Sequence, residues 1–272
     1  MSVVKIRPST RKKGYDHLSS QEPLQPDVTG LQERITRVAD TAGAKRLSYT
    51  DSHYFLLVKK SYERLISGQE LLDDEFVLSG HEIREVQTIS DNHLPRYLVY
   101  RYKYNKFPTL KIVEDYPPCV QIEPTSICNY RCVMCYQVDK SFSGRSMGHM
   151  GHMGLNVFKQ AIDELEGNVE AVTLASRGEP TLNPHIPEML EYATGKFLGL
   201  KLNTNASVLT EPLIHAILQS DLRTLVFSAD AADKNTYEKI RVNGKFDRVM
   251  RNIQLFHDIK STHYNYTCTQ NH

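Results

Sequence analysis

The stretch that decides the fold is CNYRCVMC, residues 128–135. It contains three cysteines, Cys128, Cys132 and Cys135, and it follows an apolar run at 120–124 that predicts a β-strand. A single tight loop after such a strand can aim all three sulfurs inward. Thiolates are soft ligands, which select zinc, copper(I) or iron–sulfur clusters. The spacing therefore indicates a metal centre held by this loop.

Other candidate ligands bear on the choice between zinc and an iron–sulfur cluster. Structural zinc normally takes four protein ligands, often as paired C-x2-C units, but Cys119 and Cys268 are single. His149 and His152, in the repeat MGHMGHMG at 147–154, could supply a fourth zinc ligand, although a glycine-rich repeat is more typical of an expanded loop. Three thiolates on a four-iron cluster would instead leave one iron free to bind another molecule.

The motif C-x3-C-x2-C after a first strand resembles that of the radical S-adenosylmethionine (radical SAM) enzymes. The preceding QIEPT at 121–125 and the following dipeptide at 136–137 resemble the branch of that superfamily that often carries a C-terminal SPASM cluster domain. The resemblance covers roughly residues 115–269. One departure is Met134, which stands before the third cysteine where the family usually has an aromatic residue.

This resemblance implies a [4Fe–4S] cluster on three cysteines, whose fourth iron binds the amino and carboxylate groups of SAM. An electron from an external donor such as flavodoxin or ferredoxin would cleave SAM to methionine and a 5′-deoxyadenosyl radical, which abstracts hydrogen from a substrate. The backbone at Met134 is implied to contact adenine. The cofactor carries this chemistry, and the protein positions it.

Composition indicates an ordinary globular protein. The chain has 272 residues, a formal net charge of +1 and 40% hydrophobic residues. The near-neutral charge predicts no nucleic-acid partner, and no apolar run approaches the roughly 18 residues of a membrane helix. Five cysteines, three of them clustered, favour a reducing cytoplasm over a disulfide framework.

The sequence predicts three regions. Residues 1–27 are polar and basic, which predicts a disordered tail. Residues 28–114 predict an N-terminal α+β extension, with helices near 31–38 and 54–66. Its strands are predicted at 96–104 and 110–113, where β-forming residues are frequent. Residues 115–272 form the third region.

From residue 117 onward, predicted strands and helices alternate, which is typical of a parallel α/β fold. The strands are predicted at 120–124, 171–175, 198–203 and 222–228, and a fifth begins at 263–269. This pattern resembles the six-unit partial (β/α) barrel of radical SAM enzymes. We count four complete units and part of a fifth, so we expect a barrel that is incomplete at the C-terminus, either a fragment or a chain completed by another chain.

Functional groups of such barrels gather at the carboxyl ends of the strands. The second strand ends in SRGEP at 176–180, which resembles the family's GGEP motif with Arg177 in place of the first glycine. The resemblance implies that Glu179 pairs with the ammonium group of SAM. Gly178 allows close approach of the backbone. A strand-to-helix turn with a surface glutamate is the alternative.

The third and fourth strands add polar candidates. Asn203 suits ribose or substrate hydroxyls, and Asn205 is equally compatible with an Asx turn. Ser228 resembles a residue that bonds the carboxylate or ribose of SAM, and Arg241 resembles one that pairs with its carboxylate. Asp230 is the candidate catalytic residue that orients the substrate, with a helix cap as its alternative.

We therefore predict a radical SAM enzyme that acts on a peptide, a protein or a small metabolite. The alternative is a truncated, catalytically inactive protein that binds an iron–sulfur cluster. Cleavage of SAM to 5′-deoxyadenosine under dithionite distinguishes the two, and oxygen sensitivity distinguishes either from a zinc protein.

Overall fold

The computed structural model describes residues 28–264 and 270–271. These residues divide into two compact units, with the boundary between Asp115 and Tyr116. Residues 1–27, predicted to form a disordered basic tail, lie outside the described residues. Within the described ranges, no helix is both long enough and apolar enough to cross a membrane.

The first unit is built from helices. Their bounds are Val28–Val38 (α1), Ala42–Lys45 (α2), Tyr49–Ile66 (α3), Gly80–Val86 (α4) and Leu94–Leu110 (α5). The two predicted helices are confirmed as α1 and α3. Between residues 28 and 115 the structure has no strand, so the predicted α+β character of the extension is wrong.

The error lies in α5, which contains the predicted strand at 96–104. Leu94, Leu98 and Tyr102 recur at helical spacing, and all three are almost fully buried. Packing of this face outweighs the β-propensity of the tyrosines and valines. The predicted strand at 110–113 is also wrong, because the helix ends there and Lys111 adopts a left-handed conformation with φ of 57°.

The second unit is a parallel α/β structure. Its strands are Cys119–Ile122 (β1), Ala171–Leu174 (β2), Gly199–Thr204 (β3), Leu222–Phe227 (β4) and Gln270–Asn271 (β5). Its helices are Lys140–Ser143 (α6), Leu155–Leu165 (α7), Ile186–Ala193 (α8), Glu211–Gln219 (α9), Lys234–Ile240 (α10) and Phe246–His263 (α11). Short 3₁₀ helices occupy Tyr136–Val138, Arg145–Met147 and Pro180–Leu182.

The strands lie in the sheet in the order in which they occur in the chain, and all neighbours are parallel. The first four predicted strands are confirmed, with bounds shifted by one or two residues. The predicted start of the fifth at 263–269 is wrong at its first residue, since His263 ends α11. Residues 265–269 lie outside the described residues, and β5 pairs with β4 at 270–271.

The core lies between the sheet and the helices that follow its strands. Ile122 pairs with Leu174, which pairs with Leu202, and all three are buried. Apolar faces of α7, α8, α9 and α11 pack against this row. Because the strands are parallel, the loops after β1 to β4 gather at one edge of the sheet.

Candidate functional site

One cavity of about 370 Å³ lies at the carboxyl ends of β1 to β4, within the range of small-molecule sites. All of the predicted site residues line it: Cys128, Cys132, Met134, Cys135, Gly178, Glu179, Asn203, Ser228, Asp230 and Arg241. These residues come from the carboxyl ends of four strands and from the end of α10. The structure thus brings together the whole set that the sequence predicts.

The cysteine loop is fixed by backbone hydrogen bonds to the end of α10. Arg131 N donates to Val242 O at 2.9 Å, and Val133 N donates to Ile240 O at 3.0 Å. Cys132, which lies between these two donors, is buried, whereas Cys128 and Cys135 are half-buried. The side chain of Met134 is 59% exposed, so it lines the mouth of the cavity rather than its floor.

The three thiols can be compared with the ligand set of a four-iron cluster. None of the four described cysteines forms a disulfide, and burial raises the pKa of the Cys128 thiol. In the described part of the chain, no group of three His, Cys, Asp or Glu side chains is close enough to hold one metal ion, whose ligands would lie within about 4 Å of one another. A four-iron cluster places each cysteine on a different iron, so three thiols around one cavity fit it.

The histidines of the repeat do not complete a zinc site. Neither His149 nor His152 lines the cavity. The repeat segment pairs instead with the chain after β1, where His152 forms an antiparallel bridge with Thr125 and Ser126 Oγ donates to His149 O at 2.9 Å. The segment therefore braces the strand-one loop, and the zinc interpretation lacks its fourth ligand here.

Gly178 is required by packing against the strand-one loop. A Cβ atom at this position would lie 2.0 Å from Thr125 O and 2.7 Å from Ile127 O. The neighbouring Glu179 N donates to Ile127 O at 2.9 Å. Close backbone approach was predicted for this glycine, and the structure shows that the approaching backbone is the protein's own.

Glu179 is buried in a shell of hydrogen-bond donors. Its Oε1 accepts from Thr181 N at 3.1 Å, Thr181 Oγ at 2.5 Å and Thr204 Oγ at 2.7 Å, and its Oε2 accepts from Asn205 N at 2.6 Å. Burial raises the pKa of this carboxyl, although the hydrogen bonds oppose the shift. The side chain is only 3% exposed, so the alternative of a surface glutamate is wrong.

Arg177, the departure from the family's glycine, forms a forked ion pair with Glu123. Its Nε lies 2.9 Å from Glu123 Oε2 and its Nη2 lies 2.6 Å from Oε1, while its backbone N donates to Oε2 at 2.8 Å. Burial alone would raise the pKa of Glu123, but these hydrogen bonds lower it. The guanidinium also lies 4.6 Å from the centre of the Phe142 ring. Glu123 and Phe142 were not predicted to take part.

The strand-three loop offers an unpaired acceptor. Asn203 Oδ1 is buried and has no hydrogen-bond partner in the structure. Asn205 Oδ1 accepts from Ser207 N at 2.9 Å, which is the Asx turn considered for it, yet its Nδ2 also donates to Asn129 Oδ1 at 3.0 Å. Asn129 lies inside the cysteine motif, so this bond joins the strand-three loop to the cysteine loop. No sequence signal marked Asn129.

The strand-four loop and α10 contribute an ion pair. Arg241 Nε lies 2.5 Å from Asp230 Oδ2. Arg241 Nη1 donates to Cys132 Sγ at 3.4 Å. Ser228 follows β4 directly, and its backbone N donates to Thr204 O at 2.8 Å. A cation, an anion and a residue with a hydroxyl group thus line the cavity together.

The fold and the cavity define a class of protein: a parallel α/β structure with three thiols after its first strand and polar groups after the next three. The sequence model of the Radical SAM superfamily matches residues 122–270. The chain therefore belongs to the radical SAM superfamily, a group of SAM-dependent radical enzymes, and its cofactors are a [4Fe–4S] cluster and SAM.

Similar proteins include enzymes named for different products. Mycofactocin maturase MftC of Mycobacterium tuberculosis (strain H37Rv) is 32% identical over 140 residues, which are 52% of this chain and 34% of the relative. The AdoMet-dependent heme synthase of Methanosarcina barkeri is 27% identical over 140 residues, 51% of this chain and 39% of the relative. The chain thus spans little more than a third of the length of these relatives. The solved structure of Streptococcus suis SuiB aligns with a TM-score of 0.47 at 19% identity, over 79% of this chain and 47% of SuiB.

Proposed function

We propose that this chain holds its [4Fe–4S] cluster and SAM in the cavity, cleaves SAM reductively and uses the resulting radical to remove a hydrogen atom from an organic substrate. One observation carries the proposal. Three cysteines, two carboxylates, two amides and two guanidiniums, from four strand ends and the end of α10, line a single cavity. Chance surface placement would scatter these groups.

We propose that the three cysteines hold the cluster and that the loop around them sets its orientation. When bound, the cluster and SAM supply one-electron cleavage of SAM to methionine and a radical that takes hydrogen from the substrate. The backbone bonds from Arg131 and Val133 to the end of α10 hold Cys132 in place. Tyr130, which is 3% exposed, packs the same loop against the interior.

We propose that SAM is held by groups of opposite charge. The carboxylate of Glu179 pairs with the ammonium of SAM, and the incoming positive charge offsets the penalty of its burial. Asn203 Oδ1, a buried acceptor without a partner, takes a hydrogen bond from a ribose hydroxyl or from the ammonium. Ser228 and Arg241 serve the carboxylate end. Met134 supplies backbone groups for adenine.

We propose that Asp230 orients the substrate at the mouth of the cavity, where its side chain is 38% exposed. The substrate class is a peptide, a protein or a small metabolite. Relatives named as a mycofactocin maturase and as a heme synthase do not narrow it. An external one-electron donor of the flavodoxin or ferredoxin type reduces the cluster.

Cleavage of SAM tests the proposal. The protein is reconstituted anaerobically with iron and sulfide, reduced with dithionite and incubated with SAM, and 5′-deoxyadenosine is quantified by chromatography and mass spectrometry. We expect multiple turnovers for the natural chain and for Cys119→Ala, because Cys119 lies in β1 and does not line the cavity. We expect no product from Cys132→Ala.

A chain that binds iron and sulfide but forms no 5′-deoxyadenosine is the inactive alternative. Zinc retained in air, with no iron taken up, would contradict both interpretations.

A further inference from the structure

Arg241 forms a side-chain contact with the cysteine loop that binding of SAM would not require. Its Nη1 donates to Cys132 Sγ at 3.4 Å, and its Nε lies 2.5 Å from Asp230 Oδ2. The Arg241 side chain is 15% exposed, whereas that of Asp230 is 38% exposed. A mostly buried cation therefore lies against the sulfur of one cysteine and is backed by an anion closer to water.

The backbone around Arg241 leaves the guanidinium little freedom. Its neighbours Ile240 and Val242 accept hydrogen bonds from Val133 and Arg131, on either side of Cys132. Two backbone hydrogen bonds therefore join residues 240–242 to residues 131–133. They fix the separation of the Arg241 and Cys132 backbones, which keeps the two side chains within reach of each other.

We propose that Arg241 sets the reduction potential of the cluster by placing a fixed positive charge on the Cys132 sulfur, with Asp230 as the positioning counter-charge. This inference rests on the proposed function, because it requires the cluster to be present. Reduction adds one negative charge to the cluster and its thiolates. A hydrogen-bonded cation at a ligand sulfur stabilises that charge and favours the reduced state.

If Arg241 served only to bind SAM, the expected result would be different. A residue that only pairs with the carboxylate of SAM changes SAM affinity and leaves the potential of the cluster without SAM unaltered. A residue that sets the reduction potential of the cluster changes that potential even when SAM is absent. The two roles therefore separate in a single measurement on the reconstituted protein.

The experiment is a redox titration of the cluster, followed by electron paramagnetic resonance (EPR), in the absence of SAM. For Arg241→Gln we expect the ratio of reduced to oxidised cluster at a fixed potential to fall about tenfold, a shift of about 59 mV to lower potential for one electron. Lys239→Gln is the matched control, because Lys239 is an exposed cation two residues before Arg241, at the end of α10. It should leave the potential within error of the natural chain.

Asp230→Asn provides a second and opposite test, since it leaves Arg241 and its sulfur contact in place. Removal of the negative charge should raise the potential. If Arg241→Gln does not retain its iron, the test rests on Asp230→Asn alone. An unchanged or lowered reduction potential of the cluster in Asp230→Asn would then overturn the inference.

Equal potentials in Arg241→Gln and the natural chain, with weaker SAM binding, would also overturn it and would leave the proposed function standing. Failure of the natural chain to assemble a cluster would instead overturn the proposed function itself.

Discussion

Replacing Gly178 with alanine should loosen the contact between the strand-two loop and the strand-one loop. The added Cβ would lie 2.0 Å from Thr125 O and 2.7 Å from Ile127 O. Van der Waals contact requires about 3.5 Å, so the shorter distance is too close by about 1.5 Å. Both obstructing atoms belong to the backbone and cannot rotate away, so the two loops must separate.

The cost of this separation can be estimated from the overlap. Overpacking typically destabilises a protein by about 1–3 kcal/mol. For Gly178→Ala we expect a loss of about 3 kcal/mol, because the hydrogen bond from Glu179 N to Ile127 O also lengthens. For a unit of this size that corresponds to a fall in the melting temperature of about 6–12 °C. The displaced strand-one loop should also bind less iron.

Thermal unfolding followed by circular dichroism, with iron content measured after reconstitution, checks this prediction. Gly151→Ala is the matched control, because a Cβ there meets no atom within 4 Å and the φ of Gly151 lies outside the left-handed region. It should melt within about 2 °C of the natural chain. Equal melting temperatures and iron contents for Gly178→Ala and Gly151→Ala would refute the packing argument.

Three further substitutions separate stability from binding. Glu179→Gln turns a buried acceptor into a donor that faces a backbone N–H, so we expect it to lower the free energy of unfolding by about 1–3 kcal/mol and to weaken SAM binding in a calorimetric titration; unchanged stability would contradict the contacts described. Asn203→Ala removes an acceptor that has no partner among the described residues, so the melting temperature should stay unchanged while the Kd for SAM rises about tenfold; an equal Kd would remove Asn203 from the site. In the first unit, burial alone would raise the pKa of Glu85, but its hydrogen bonds and the charge of Arg101 lower it to about 2. That stability is present above the unfolded pKa of 4.5 and is lost as pH falls toward 2, so Glu85→Gln should flatten the acid-unfolding curve in this range, and a curve of unchanged steepness would argue against the ion pair.

The second unit was predictable because its sequence signals act locally. The strands at 171–174, 199–204 and 222–227 are short segments bounded by turns, and along 199–204 every second residue is buried, which is the period of a strand that turns one face to the core. Once the strands are parallel, the residues after them must meet at one edge. The candidate site therefore followed from the strand ends and the three cysteines.

The first unit was harder to predict because its helix α5 carries strand-forming residues. Tyr97, Val99 and Tyr102 favour strands in isolation, and the helical recurrence of buried positions becomes decisive only when α3 is there to pack against α5. Pro95 at the start of α5 is typical of the first turn of a helix. In the prediction, the strand-forming residues that follow it outweighed this signal.

Within the site, the contacts between loops escaped prediction. Nothing in the sequence pairs Asn129 with Asn205, or Arg177 with Glu123, because each pair joins loops more than fifty positions apart. Ser176, at the carboxyl edge of the sheet, has a strained backbone with a φ of 137°. No local sequence motif predicts this conformation. Such contacts depend on how the loops meet and not on any one of them.

The central claim is that three cysteines and the groups opposite them form one centre for a cluster and SAM. EPR of the reconstituted, dithionite-reduced protein, recorded with and without SAM, tests it most directly. The account predicts a [4Fe–4S] signal whose g-values shift when SAM is added, and no such signal in Cys132→Ala. A cluster signal that SAM leaves unchanged would contradict the account.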